Sequence, residues 1–261
     1  MLDALRKHWP EYLIEAFCLG VFMLSAGACT VLFEYPPSPL HAAISQPEVR
    51  RALIGLAMGL TAVALIYSPW GQQSGAHMNP AVTLTFYRLG KVAKWDAFFY
   101  IIAQFTGGLL GVLLTRTLLG NSFADPAVNY VVTVPGAAGV PAAFAAELVI
   151  SCGLMLMILL VSGTPRLARF TGLFAGVLVA LFITVEAPYS GMSINPARTV
   201  ASALPSGVWT AGWIYFVAPI GGMLLAVDIR RLLLKGAHAA CAKLHHHNAR
   251  RCIFCGLNCG H

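Results

Sequence analysis

Two stretches, SGAHMNPAV (residues 74–82) and SGMSINPAR (residues 190–198), share the frame S-G-x-x-x-N-P-A with equivalent positions 116 residues apart. Each frame opens a short apolar run, Asn79 to Tyr87 and Asn195 to Leu204. At 1.5 Å per residue, such a run in helix reaches about half way across a bilayer. Asn can cap the orphan N–H groups at a helix start, and Pro suits the first helical turn. A Pro-kinked surface loop would account for one such frame but not for its recurrence. The frames therefore predict two half-helices, each entered through a flexible Ser-Gly approach.

The rest of the chain supplies the setting. Of 261 residues, 58% are hydrophobic and 10% charged, with a mean hydropathy of +0.73. That is too apolar for a soluble domain of this size to hide in one core. A helix needs about 20 residues to cross the hydrocarbon layer. Runs of about that length occur at Tyr12 to Phe33, Ala52 to Ser68, Trp95 to Leu119, Ala142 to Gly163, Phe170 to Ala187 and Trp209 to Val227. The first is too long for the core of a signal peptide and ends in no clear small-residue cleavage site, so it is read as a retained span. Six spans put both termini on one side. Lys and Arg concentrate on that side and leave only Arg50, Arg51, Arg116 and Arg198 on the other, which makes the termini cytoplasmic and the chain a multi-pass protein of the cell membrane. The net charge of +7 then faces anionic lipid headgroups, and nothing else points to nucleic acid.

Further pairs recur in the same order. Glu15 in the first span answers Glu147 in the fourth, and AQFTGG from Ala103 answers APIGG from Ala218. The chain divides into halves of about 1–120 and 141–234, joined by Asn121 to Pro141, which is rich in Gly, Pro, Ala and Val and lacks a helical pattern. Three spans is an odd number, so the second half enters the membrane upside down, and the half-helices aim their N-termini at one another from opposite faces. Irregular backbone at membrane depth must be buried in protein or line a watery cavity. Hence the repeated loops line a pore or site. Intramembrane glutamates face the bundle interior; Glu15 and Glu147 read as loop braces, with a proton relay as the alternative.

Paired N-P-A motifs in inverted halves, Arg198 directly after the second, paired glutamates and paired Gly motifs together resemble the aquaporin (major intrinsic protein) family over about residues 10–234. The resemblance implies an all-α membrane protein of six transmembrane helices and two re-entrant half-helices, with an hourglass pore in each subunit of a homotetramer. It implies a channel, not an enzyme, that passes water and small neutral solutes and requires no cofactor. Asn79, Pro80, Ala81, Asn195, Pro196 and Ala197 would form the pore centre. There the amide donors and the positive helix ends orient each water through its oxygen and repel cations. The carbonyls of Gly75, Ala76, His77 and Met78, and of Gly191, Met192, Ser193 and Ile194, would form an acceptor ladder. The outer constriction maps to Met58, Ile183, Met192 and Arg198. This set lacks the His of many water-selective members and the aromatic pair of glycerol facilitators. Thr199, Ala203, Tyr215 and Phe216 stand where family patterns lean towards water; glycerol, hydrogen peroxide and ammonia remain alternatives. An ion-coupled secondary transporter is the rival class, but the bundle shows no ionisable network for a coupling ion.

Residues 1–236 thus form a channel domain, and residues 237–261 a separate cytoplasmic tail with four of the seven cysteines and five of the eight histidines. Cys252, Cys255, Cys259 and His261 offer ligands for zinc or an iron–sulfur cluster, with Cys241 and His245 to His247 upstream. The other reading is a basic, membrane-hugging tail whose cysteines are incidental or palmitoylated. No tail residue belongs to the pore pattern, so basal flow is expected to survive its removal. Cys18, Cys29 and Cys152 read as small packing residues.

Overall fold

A computed structural model describes residues 1–233 and 241–255. Among them the regular structure is entirely helical. The six spans are Leu2–Glu34, Pro47–Tyr67, Lys94–Leu119, Gly139–Ser162, Thr171–Val185 and Ile214–Leu233. Five helices are long and apolar enough to cross a membrane, the fifth counted with the short turn that precedes it. The sixth is 20 residues long and carries Asp228, Arg230 and Arg231 near its end. It starts later than the apolar run suggests, because Thr210 to Trp213 form turns, and it continues past Val227. The first span is 33 residues, about 50 Å of helix, so its first turns, with Asp3, Arg6 and Lys7, project beyond the apolar run. Large apolar side chains such as Leu13, Phe17, Leu110 and Val177 lie exposed on the bundle's outside, where lipid tails satisfy them.

Packing follows the internal repeat. The first span lies on the third, the fourth on the sixth, and the second meets the fifth between the halves. The paired Gly motifs explain the two equivalent contacts. A Cβ at Gly107 would overlap the carbonyl of Ala16, and a Cβ at Gly222 would overlap that of Leu148, each the residue after the paired glutamate. Only glycine lets the backbones approach so closely, which is how membrane helices gain packing without a hydrophobic driving force.

Both half-helices form, as Pro80–Arg88 and Pro196–Ser206, with Asn79 and Asn195 as N-caps. The Asn79 side chain accepts from Ala81 N at 2.9 Å; Asn195 accepts from Ala197 N at 3.0 Å and Arg198 N at 3.3 Å. Each cap satisfies donors that would otherwise be orphaned at membrane depth. The linker between the halves is more ordered than its composition suggests. It holds a turn of helix at Asn121–Ala124 and a 3-10 turn at Asn129–Val131.

A candidate pore and the tail seated in its mouth

The two loops before the half-helices adopt one backbone conformation twice. Gly75, Ala76 and Met78 have φ of 98°, 55° and 49°; Gly191, Met192 and Ile194 have 80°, 53° and 50°. Left-handed backbone costs a non-glycine residue roughly 1–2 kcal/mol, so four such residues need support. Glu15 and Glu147 provide it. Glu15 accepts from His77 N at 3.0 Å, Met78 N at 2.6 Å and Ser74 Oγ at 2.9 Å. Glu147 accepts from Ser193 N at 2.6 Å, Ile194 N at 2.7 Å and Ser190 Oγ at 2.7 Å. Both carboxylates are fully buried and engaged by loop donors, with Gln104 Nε2 of the third span also donating to Glu15 at 2.9 Å, which is a bracing geometry rather than a relay.

Two tyrosines complete the braces. Tyr100 OH donates to Ser74 O at 2.7 Å, and Tyr215 OH donates to Ser190 O at 2.6 Å. Sequence reasoning missed Tyr100 and read Tyr215 only as a substrate marker. The Ser-Gly approaches are also not flexible. Each serine is buried and tied to a glutamate, with its hydroxyl also accepting from Ala76 N or Met192 N at 3.1 Å.

The half-helix starts meet reciprocally. Asn79 Nδ2 donates to Ile194 O, and Asn195 Nδ2 donates to Met78 O, both at 2.7 Å. An amide nitrogen carries two protons, so each Asn spends one on this strut and keeps one. A cavity of about 500 Å3 runs past both asparagines and also touches Met58, Ile183, Met192 and Arg198. The four expected constriction residues thus share one space. Arg198 is held across it by Nη1 donating to Val131 O at 2.6 Å. The linker, to which sequence analysis gives no part in the pore, contributes to it: Val128, Val131 and Val132 line this cavity. Of the expected carbonyl ladder, Met78 O and Ile194 O are engaged by the asparagines, and Gly75 O accepts from Leu244 N at 3.1 Å.

That last bond belongs to the tail, and it overturns the expectation that the tail stands apart from the pore. At one end the cavity reaches Glu34 and Arg51; at the other it touches Leu244. His77 Nε2 donates to Ala242 O at 2.8 Å, since a carbonyl can only accept. The His77 ring is sandwiched between Phe86, at 5.2 Å, and Phe254, at 5.5 Å and nearly parallel. Arg251 Nη2 donates to Lys7 O at 3.0 Å, which puts the tail on the face that carries the N-terminus.

Within the tail, Cys241, His246, Cys252 and Cys255 place one ligand atom each within 4.8 Å of the others. Cys252 and Cys255 were expected to be ligands. Cys241 and His246 join them, while Cys259 and His261 lie outside the described residues. The hydrogen bond with Cys241, helped by His246 and Cys255, holds the Cys252 thiol well below the usual thiol range. The same bond, with burial, pushes Cys241 up.

Two half-helices capped by asparagines, aimed at each other inside a bundle of apolar helices and bordered by one continuous cavity, define a membrane pore protein. Residues 4–229 match the model of the family described as Major intrinsic protein. The chain belongs to that family, whose members are channels and not enzymes. It is 37% identical to a probable aquaporin NIP-type of Nicotiana alata, over 67% of this chain and 63% of that one, so the match spans somewhat under two thirds of that relative's length. It is 30% identical to Aquaporin Z of Photorhabdus laumondii, over 84% of this chain and 96% of that one. The fold is similar to the X-ray structure of the aquaglyceroporin from Plasmodium falciparum, at a TM-score of 0.73 and 20% identity, covering 86% of this chain and 96% of that chain.

Proposed function

We propose that the protein is a passive channel for water that excludes protons and ions. The observation that carries this reading is the reciprocal meeting of Asn79 and Asn195 beside one cavity. Each keeps an N–H for a passing water oxygen, so a water bound there points its protons away from the centre and cannot relay one through it. The half-helix N-termini contribute roughly half a positive charge each and repel cations. The carbonyls of Gly75 to Met78 and Gly191 to Ile194 offer acceptors to passing water, Met78 O and Ile194 O sharing theirs with the asparagines and Gly75 O with the tail.

A broader solute range rests on the constriction. Met58, Ile183 and Met192 give Arg198 three apolar or thioether walls, which cannot hydrogen-bond a solute but can touch its carbon atoms. This favours some passage of small neutral molecules such as glycerol or hydrogen peroxide beside water. The positive-side count supports cytoplasmic termini in a cell membrane, and family membership supports a homotetramer, with residues 1–236 as the channel domain. The tail from residue 237 adds metal-binding capacity through its Cys/His cluster, although the channel itself requires no cofactor.

The test is light scattering on liposomes holding the chain cut after Lys235, which retains the whole matched region 4–229. Challenge with an impermeant osmolyte should give fast shrinkage. Challenge with glycerol should give shrinkage followed by measurable recovery. No acceleration over empty liposomes would refute the channel reading; shrinkage without recovery would restrict it to water.

A further inference from the structure

We propose that Cys241, His246, Cys252 and Cys255 form a zinc site that folds the tail into a plug, closing the pore mouth on the face that carries the N-terminus. The inference rests on the channel reading and adds a regulator to it. The ligand geometry comes first. Cys252 Sγ lies 3.4 Å from Cys241 Sγ and 3.3 Å from Cys255 Sγ, and Cys255 Sγ lies 3.9 Å from His246 Nε2. Sulfurs bound about 2.3 Å from a tetrahedral zinc stand about 3.8 Å apart, so small adjustments suffice. Three cysteines and one histidine are a closed, four-ligand structural set, and soft thiolates with an imidazole suit zinc better than magnesium or calcium. Cys241 and Cys252 are buried, and His246 and Cys255 are half-buried, as an ion needs if it is to be shielded from water. On binding, the three thiols release their protons to solvent and His246 gives its Nε2 lone pair. The resulting single net negative charge falls in a segment that also carries Lys243, Arg250 and Arg251.

The second ground is that, among the described residues, the tail has no regular secondary structure of its own to hold its shape. Residues 241–255 contain no helix or strand, yet Ala242, Lys243 and Leu244 are almost wholly buried. A short irregular segment cannot offset the entropy of being ordered from so small a core, and a metal is the usual staple. Lys243 shows how tightly the segment is wound: its Nζ donates to Arg251 O at 2.7 Å and Arg250 O at 3.2 Å.

The third ground is where the segment sits. Leu244 borders the cavity end, its N–H occupies the Gly75 carbonyl, and Ala242 O occupies His77 Nε2. Both of those channel groups would otherwise serve water. Phe254, inside the Cys252-x2-Cys255 knuckle, stacks on His77 and meets Tyr100 edge-on, so metal ligation and plug contact are made by one four-residue turn. Losing the metal would release the knuckle and the ring with it.

The experiment uses the full chain in liposomes, read by metal content and by osmotic water permeability. The expected result is about one zinc per chain and low permeability. A membrane-permeant chelator should raise the permeability roughly tenfold, meaning that zinc favours the closed form by at least about that factor. Added zinc should close it again. The full chain with Cys252→Ser and Cys255→Ser together should carry no zinc and be open throughout. The chain cut after Lys235 should be open and indifferent to chelator and zinc. Absence of zinc from the full chain after zinc incubation overturns the proposal. So does a zinc-loaded chain as permeable as the cut one, or a Cys241–Cys252 disulfide in the native protein. If the cut chain passes no water, the channel reading itself fails, a result distinct from failure of the plug, and the inference falls with it.

Discussion

At the scale of single residues, most of the pore is written locally. Asn79 and Asn195 are recognisable because an Asn-Pro pair both caps and starts a helix, so its spacing survives in sequence. Arg198 and Ile183 follow from position relative to the second motif, and the structure places both on the cavity with Met58 and Met192. Tyr100 and Tyr215 were not legible as braces. Their partners are backbone carbonyls 26 and 25 residues away, to which no residue pattern points. Ile183 carries the residue-scale prediction. Ile183→His adds a hydrogen-bonding wall opposite Arg198, so glycerol entry should fall relative to water entry in the chain cut after Lys235, measured as the ratio of the two light-scattering phases. An unchanged or higher ratio would mean that the methionines, which can fold across the gap, set the constriction.

Half-helices and loops make up the next scale. Both half-helices were expected within two residues of their observed ends, because the motif marks the start and the short apolar run bounds the length. The loops before them were misjudged. Ser-Gly suggests freedom when read alone, whereas the glutamate on a distant span ties it down through its serine hydroxyl and the loop N–H groups. Linker residues Val128 to Val132 were likewise opaque, since their placement depends on the Arg198 guanidinium reaching Val131 O. Loop bracing gives a direct prediction. Glu147→Gln replaces one carboxylate oxygen with an N–H donor facing Ser193 N or Ile194 N. An unsatisfied buried donor costs about 1–3 kcal/mol. The variant should melt at lower temperature and pass less water, with a loss in the same direction for Glu15→Gln, whose carboxylate also accepts from Gln104 Nε2. Unaltered melting and flow would show that the left-handed loop residues hold their conformation without the carboxylates.

Across the whole molecule, the inverted repeat was legible and the tail's seat was not. Three spans per half and the recurrence of Glu and Gly-Gly pairs are enough to imply the antiparallel arrangement of the halves. The cysteines of the tail were visible too, but irregular spacing hid which ones converge. His246 and Cys241 come together with Cys252 and Cys255 only because residues 241–255 wrap around the buried Lys243. No pattern within the tail encodes that Leu244, Ala242 and Phe254 come to rest against Gly75, His77 and Tyr100. The long-range contact changes the expectation about truncation: removing the tail should now raise flow rather than leave it unchanged.

The central claim is a pore whose two opposed half-helices pass water while blocking protons. The measurement that tests it most directly follows both fluxes in the same vesicles, using the chain cut after Lys235, a light-scattering signal for volume and an entrapped pH dye for protons. The account predicts water permeability well above that of empty vesicles, unaffected by sodium or proton gradients, with proton entry at the lipid background. Proton entry rising in step with water, or water flow that appears only when an ion gradient is imposed, would contradict it.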